Sequence, residues 1–192
     1  MIDVPQAAID LAKRFEGFCR VPKSDPDRAY PYVCPAGFWT IGYGHLCDAK
    51  HPPITMEEGE AYLTADMADV LRATLRYCPV LANEPEGRLA AIVDFTFNLG
   101  AGRLQTSTLR RRVNQRDWQG ASSELRRWVY GGGRILPGLI IRREAEVALL
   151  ISEIKVPDSI KKFNQKIVKD YSNIQNFSNR KISLRHHLDF FQ

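Results

Sequence analysis

The chain lacks the long apolar runs by which membrane-spanning proteins are recognised. Its longest apolar run, residues 135–141, is interrupted by Pro137 and Gly138, and it falls well short of the ~20 residues that cross a bilayer. The N-terminus has an acidic residue where a signal peptide carries basic ones, and no apolar stretch follows it. We therefore expect synthesis in the cytoplasm, with no export signal in the chain.

Paired cysteines are also missing. The four cysteines, at positions 19, 34, 47 and 78, do not form the CxxC pairs typical of zinc sites. We predict no bound metal and no other cofactor. In a cytoplasmic protein, we interpret the four cysteines as reduced thiols.

Excess positive charge is nearly absent from most of the chain and is concentrated near its C-terminal end. Residues 1–152 hold 19 Lys and Arg against 18 Asp and Glu, whereas residues 153–192 hold 8 against 4. We interpret 1–152 as one domain and 153–192 as a basic extension, partly helical or disordered. The nearly neutral body, which has no recognition motif, argues against nucleic-acid binding. The extension, with its interspersed Ile and Phe, suits an anionic membrane or lipopolysaccharide.

The periodicity of apolar residues indicates an α+β protein. Aromatic and β-branched residues over 30–46, broken by glycine and proline, predict a small antiparallel sheet. Thr55 followed by Glu58 is a capping box that opens a long helix. Apolar residues at three- and four-residue spacing predict helices over 5–16, 55–77, 85–99, 108–114, 117–129 and 137–151, with the glycines 131–133 as a flexible joint between the last two.

Glu16 is the strongest candidate for a catalytic acid. It ends the first predicted helix, where the helix dipole disfavours a negative charge, and Phe15 and Phe18 can shield it from water. Both effects favour the protonated carboxyl that a general acid needs for glycoside hydrolysis. The segment F-W-T-I-G-Y-G-H at 38–45 supplies a polar strand for the acid to face.

In combination these motifs resemble the phage-type lysozymes, the muramidase endolysins of T-even and lambdoid phages, in their cysteine-bearing branch. The family pattern is a helix ending in F-E-G, then Asp or Cys, five residues, and a Thr that opens T-I-G-x-G-H. Glu16, Cys34 and Thr40 occupy these places. Further similarity lies in N-L-G-A-G and S-T-L within 98–109 and in the segment 128–146, so the resemblance covers about residues 5–150.

The resemblance implies a lysozyme-like fold, with a small sheet lobe joined by a long helix to a helical lobe and a cleft between them. It also implies hydrolysis of the β-1,4 bond between N-acetylmuramic acid and N-acetylglucosamine in peptidoglycan. Glu16 would protonate the leaving oxygen, Thr40 would bind the attacking water or the sugar face, and Cys34 would replace the usual Asp. Such an endolysin is a monomer that waits in the host cytoplasm for a membrane pore and then acts on the cell wall in the periplasm.

The second catalytic group departs from the family pattern. The family usually leaves eight residues between the two groups, whereas seventeen separate Glu16 from Cys34. Asp25 satisfies the shorter spacing, so Asp25 and Asp27 stay as alternative bases. We favour Cys34, because the segment 35–39 fixes its register to Thr40.

A thiol in this position raises a question of redox control. A free thiol has a pKa of about 8.5 and is a poor base at neutral pH. A disulfide from Cys34 to Cys19 or Cys47 would silence the enzyme, and thiol exchange would release it. Full activity of the oxidised protein, with no gain from dithiothreitol, would contradict this hypothesis.

Substrate contacts are expected at four further positions. Trp39 and Tyr43 carry aromatic rings that suit stacking on sugars, although such rings are as common in protein cores. Asn98 and Ser107 lie in the segments that resemble the family.

Structural support for the site is expected from basic residues. His45 is predicted to pair with an acid of the following helix, Asp66 or Asp69, instead of transferring protons. Arg142 or Arg143 is predicted to approach Glu16 and hold it in place.

Two alternatives to a hydrolase stay open at this point. A lytic transglycosylase cleaves the same bond with one acid and no water, so Cys34 does not exclude it. A non-catalytic protein that binds cell wall or membrane through its basic extension would not need Glu16 at all.

Overall fold

The structure is a computed structural model that describes residues 2–19, 25, 27–34 and 37–152. Helices dominate this part of the chain, and the strands are two or three residues long. Numbered in chain order, the elements are α1 (Gln6–Glu16), β1 (Arg28–Ala29), β2 (Tyr32–Val33), β3 (Trp39–Ile41), β4 (His45–Leu46), β5 (Ile54–Thr55), α2 (Met56–Tyr77), a 3-10 helix (Pro79–Asn83), α3 (Glu86–Leu99), α4 (Ala101–Thr106), α5 (Thr108–Asn114), α6 (Trp118–Leu125), β6 (Tyr130–Gly131), β7 (Arg134–Ile135) and α7 (Pro137–Leu150).

The N-terminal part forms the predicted small sheet lobe. Strands β2, β3 and β4 make a three-stranded antiparallel sheet, with Tyr32 opposite Thr40 and Thr40 opposite Leu46. Strands β1 and β5 form a separate antiparallel pair, which the sequence did not predict. The chain therefore returns to this lobe at Ile54–Thr55, after the prolines at 52 and 53 and beyond the predicted sheet at 30–46.

The long helix α2 begins at the predicted capping box. The Thr55 hydroxyl accepts a hydrogen bond from the Glu58 amide at 3.2 Å, and the Glu58 carboxylate accepts one from the Thr55 amide at 2.7 Å. Such caps contribute about 1 kcal/mol to helix stability. Along α2 the predicted apolar stripe is buried at Leu63, Met67 and Leu71, which packs the helix onto α3 and α4.

Helix α3 lies at the centre of the helical lobe. Every residue from 89 to 96 is buried, and the helix packs against α1, α2, α4 and α7. A helix that is apolar all round fits such a central position, because each of its faces needs an apolar partner. Asp94 is the one acidic side chain within this buried run, so it needs a cationic partner.

The structure differs from the predicted elements mainly in short segments and in turns. The glycines 131–133 are not a flexible joint, because Gly132 and Gly133 form the turn of the β6–β7 hairpin with φ angles of 58° and 78°. Both angles are left-handed, and glycine adopts them without strain. Helix α6 ends at Leu125, four residues before the predicted end, and the 3-10 helix and α4 were not predicted.

Phe18 links the sheet lobe to the helices. Its ring packs against Tyr43, with the ring centroids 5.4 Å apart, and it borders both apolar cores. On the α2 side the ring lies against Gly59, where an added Cβ would come within 2.7 Å of Phe18 Cε2. Gly59 is thus a packing requirement in the first turn of α2.

We expect Gly59→Ala to destabilise the protein by about 1–2 kcal/mol, because overpacking against a ring outweighs the helix-propensity gain of about 1 kcal/mol. Urea unfolding of both proteins measures this difference. Gly102→Ala in α4 is the matched control, since a Cβ there meets nothing within 4 Å and should stabilise. Equal stabilisation by both substitutions would contradict the packing argument.

Candidate active site

Glu16 lies at a helix end that opens towards solvent. It is the last residue of α1, and Gly17 follows with a φ of 68°. The left-handed glycine ends the helix and turns the chain into the sheet lobe. The side chain of Glu16 is 34% exposed, so a ligand can reach the carboxyl.

Arg142 holds Glu16 from the opposite side. Its Nη1 donates a hydrogen bond to Glu16 Oε1 at 2.5 Å, across 126 residues of chain. The same guanidinium donates Nε to Asp94 Oδ2 at 2.9 Å and Nη2 to Asp94 Oδ1 at 2.8 Å. Of the two predicted arginines, Arg142 therefore contacts the acid.

Arg142 is a permanent cation although its side chain is only 3% exposed. Burial disfavours its charge, but the hydrogen bonds and charges of Asp94 and Glu16 outweigh this effect and raise the pKa of Arg142 above its ordinary value. The guanidinium also lies over the Phe15 ring at 5.4 Å from its centroid. Because the planar guanidinium of Arg142 contacts Asp94, Glu16 and the Phe15 ring, these neighbours hold it in one orientation.

Arg143 is turned away from Glu16 and supports the core instead. Its Nη2 donates to Glu146 Oε1 at 2.6 Å and to Asn98 Oδ1 at 3.0 Å. Burial raises the pKa of Glu146 well above its ordinary value, and Asp94 adds to this while Arg143 opposes it. The predicted substrate residue Asn98 thus has its carbonyl oxygen occupied by a buried arginine.

The sheet presents a face with Thr40 and Cys34 side by side. The Cys34 amide donates to the Phe38 carbonyl at 2.9 Å, which continues the β2–β3 pairing. Since side chains alternate along strands, Tyr32, Cys34 and Thr40 lie on one face. The Thr40 hydroxyl donates to the Tyr32 carbonyl at 3.5 Å.

Tyr32 connects this face to the acid. Burial raises the pKa of Tyr32, and Thr40 opposes that shift. The charges of Cys19, Cys34 and Glu16 add to the raised pKa. Of the predicted catalytic residues, Thr40 lies opposite Tyr32 in the sheet and Cys34 follows two positions after Tyr32 on the same strand face.

The alternative bases precede β1. Asp25 Oδ2 accepts a hydrogen bond from the Tyr30 hydroxyl at 2.9 Å, and this bond raises the pKa of Tyr30. Asp27 is exposed in the turn before β1.

His45 joins the sheet to α2, as expected for a structural residue. Its Nδ1 lies 2.9 Å from Asp66 Oδ2, so the predicted partner is Asp66 and not Asp69. The ring also stacks on Tyr62, with centroids 4.5 Å apart.

Three expected substrate residues have other surroundings. Tyr43 is 6% exposed and packs on Phe18, because the turn around Gly42 directs it inward. Ser107 is buried and caps α5, accepting from the Arg110 amide at 3.0 Å. Trp39 is exposed but, by strand alternation, lies on the opposite face from Thr40.

Two residues of the site were missed in the sequence. Tyr32 precedes Cys34 by two positions, so strand alternation would have placed them together. Asp94 was detectable as a lone acid in a broadly apolar helix, which demands a buried cation.

All four cysteines lie in the described part of the chain. Cys19, Cys34, Cys47 and Cys78 carry free thiols, and burial raises the pKa of Cys78 to about 12. In the described part of the chain, no three His, Cys, Asp or Glu side chains are grouped as metal ligands. Among the described helices, none is both long and apolar enough to cross a bilayer.

Known proteins are similar to this chain in sequence and in fold. The model of the family described as phage lysozyme matches residues 13–146. The endolysin of Acyrthosiphon pisum secondary endosymbiont phage 1 is 38% identical over 156 residues, which are 78% of this chain and 98% of that protein. The SAR-endolysin of Bacteriophage PS34 is 42% identical over 121 residues, which are 62% of this chain and 71% of that protein.

Solved structures of other proteins are similar to this chain in fold. The muramidase domain of SpmX from Asticaccaulis excentricus superposes with a TM-score of 0.65 at 27% identity, covering 82% of this chain and all of that domain. The endolysin from Escherichia coli O157:H7 phage FAHEc1 gives a TM-score of 0.63 at 26% identity, covering 81% and 98%. Fold and site define a glycoside hydrolase of the lysozyme type, an α+β enzyme as predicted. The chain belongs to the phage lysozyme family, whose substrate is the peptidoglycan of bacterial cell walls.

Proposed function

We propose that the enzyme hydrolyses the β-1,4 bond between N-acetylmuramic acid and N-acetylglucosamine, with Glu16 as general acid. The observation that carries this proposal is the Glu16 carboxyl, which is partly exposed at the end of α1 and held by the buried Arg142. Hydrolysis needs a proton donor on one side of the bond and a group that handles water on the other. Glu16 supplies the proton to the leaving oxygen.

The Thr40 face supplies the second side of the reaction. Thr40 is 4% exposed, so its hydroxyl is fixed by packing and can direct one water or one sugar hydroxyl. Cys34 lies on the same face and occupies the place of the second catalytic group. The sugar then lies between Glu16 and the sheet.

Analysis of the reaction products tests this proposal. Purified peptidoglycan treated with the enzyme should gain reducing N-acetylmuramic acid ends, identified by mass spectrometry of the released fragments. Anhydro-muramic ends would instead identify a lytic transglycosylase. No new saccharide ends at all would contradict glycosidase activity, and would leave the non-catalytic alternative.

We expect Cys34→Ala to lower kcat on peptidoglycan about 10–100-fold and Asp25→Ala to change it less than about twofold. Cys34 lies with Thr40 and Tyr32, whereas Asp25 is bonded to Tyr30. Cys34→Asp should keep at least wild-type activity. Cys47→Ala, another half-buried cysteine of the sheet lobe, is the matched control.

If Asp25→Ala lowers kcat more than Cys34→Ala does, Asp25 is the second catalytic group and Cys34 is not. Loss of activity in both Cys34→Ala and Asp25→Ala would instead indicate a shared hydrogen-bonded arrangement in the loop that connects them. Reductant is present throughout, so that thiol oxidation cannot imitate either result.

We further propose that the enzyme acts as a monomer on the cell wall after leaving the host cytoplasm through a membrane pore. The relatives named as endolysins support action on the cell wall, and the monomeric state and the release through a pore are expectations from the resemblance. Residues 153–192 lie outside the described residues, so the domain boundary near Ser152 and the contact of this basic extension with anionic membrane or lipopolysaccharide stay proposals based on its charge.

A further inference from the structure

We propose that Asp94 is a positioning residue for the general acid, which aligns Arg142 with Glu16 and balances the charge of the guanidinium beside that acid. This inference rests on the proposed role of Glu16. Asp94 is not itself a catalytic residue, because it is completely buried and touches Arg142 instead of the substrate.

The geometry shows how Asp94 controls the arginine. Both oxygens of Asp94 accept from Arg142, through Nε and Nη2. This bidentate contact fixes the plane of the guanidinium. The remaining Nη1 then points at Glu16 Oε1.

The charges around Glu16 give Asp94 a second role, which is to offset the positive charge of Arg142. Arg142 of α7 donates directly to Glu16, and the charge of Glu16 acts on the phenol of Tyr32 in β2. Burial raises the pKa of Tyr32, so its phenol is neutral at working pH. A lone guanidinium would favour the ionised acid, and the second carboxylate on Arg142 offsets that attraction.

The surrounding buried groups belong to a second pair. Arg143 and Glu146 bond to each other at 2.6 Å, and Glu146 Oε1 lies 3.9 Å from Arg142 Nε. Glu146 is the group that could ionise and take over if Asp94 were neutralised. A test of Asp94 must therefore control for Glu146.

The experiment is the pH profile of kcat/KM for Asp94→Asn. The alkaline limb of the profile reports loss of the acid's proton. Removing a negative charge makes the surroundings of Glu16 more positive, so this limb should move to lower pH by about one unit. Asp94→Asn with Glu146→Gln should move it at least as far, because no acid can replace Asp94.

Glu84→Gln is the matched control. Glu84 also bridges two arginines, Arg88 and Arg116, but at the N-terminal end of α3. The same loss of charge there should leave the alkaline limb in place. Asp94→Ser, which admits a water beside Arg142, gives the same prediction if the amide variant does not fold.

A second readout separates this inference from the proposed function. The carbon-13 NMR signal of the Glu16 carboxyl, assigned by its loss in Glu16→Gln, can be titrated in wild type and in each Asp94 variant. The midpoint pH of this titration should fall together with the alkaline limb of the kcat/KM profile. The NMR titration can be measured even if the enzyme cleaves no substrate. An unmoved midpoint in a folded neutral variant, including the double variant, overturns the role of Asp94.

Discussion

Glu16→Gln should lower kcat on cell-wall substrate by about 10³-fold or more while KM changes little, since general acid catalysis contributes about 10²–10⁴. Glutamine has the same size and can still accept from Arg142, but it has no proton to give to a leaving oxygen. Turbidity loss of chloroform-permeabilised Gram-negative cells at pH 6–7 measures the effect. Asp10→Asn, an exposed acid on the same helix, is the matched control and should clear like wild type.

The other outcomes of the turbidity experiment distinguish the remaining explanations. Clearing by both wild type and Glu16→Gln would contradict the role of Glu16 and assign lysis to the basic extension or to another site. Clearing by neither would point to an inactive site, through the loop at 19–28 or through a disulfide at Cys34. Adding reductant separates these two causes.

The second large effect is on stability. Arg142→Met should destabilise the fold by about 3–5 kcal/mol, because it leaves the carboxylate of Asp94 buried without its cation. Lysis should be lost as well, since Glu16 loses the group that orients it. Urea unfolding measures the free energy, and activity is compared at a temperature where both proteins are folded.

Arg126→Met is the matched control for this prediction. Arg126 also makes a two-point contact with a carboxylate, Glu144, but its side chain is 42% exposed. Exposed ion pairs contribute about 0–1 kcal/mol, so this variant should lose little. Similar losses in both variants would mean that burial of the Arg142 pair does not determine its importance.

Much of the fold was predictable because its signals are local. The apolar period, the capping box at Thr55 and the left-handed Gly17 each involve residues within one or two turns. Helix α5 has the predicted bounds, and α1, α2, α3 and α7 differ by a residue at most at each end. Glu16 was identified for the same reason, as an acid at a helix end beside aromatic residues.

The incorrect predictions came from patterns that two structures can share. Tyr43 looked like a strand residue, but Gly42 at φ 62° turns the chain and directs the ring into the core. The hairpin at Gly132 was interpreted as a joint because a glycine pair serves a tight turn as well as a flexible linker. Ser107 had an N-cap signal, since a serine before a helix usually caps it.

The sequence by itself determined the family, the α+β class and most of the helices, and it led to the proposal of Glu16 as the acid, since these depend on short-range order and specific motifs. The tertiary structure decided which arginine meets Glu16 and which acid holds that arginine. Those contacts span 126 and 48 residues, and no local pattern specifies them. They form because burying a guanidinium in an apolar helix layer requires carboxylates on several sides at once, which only the packed helices α1, α3 and α7 bring together.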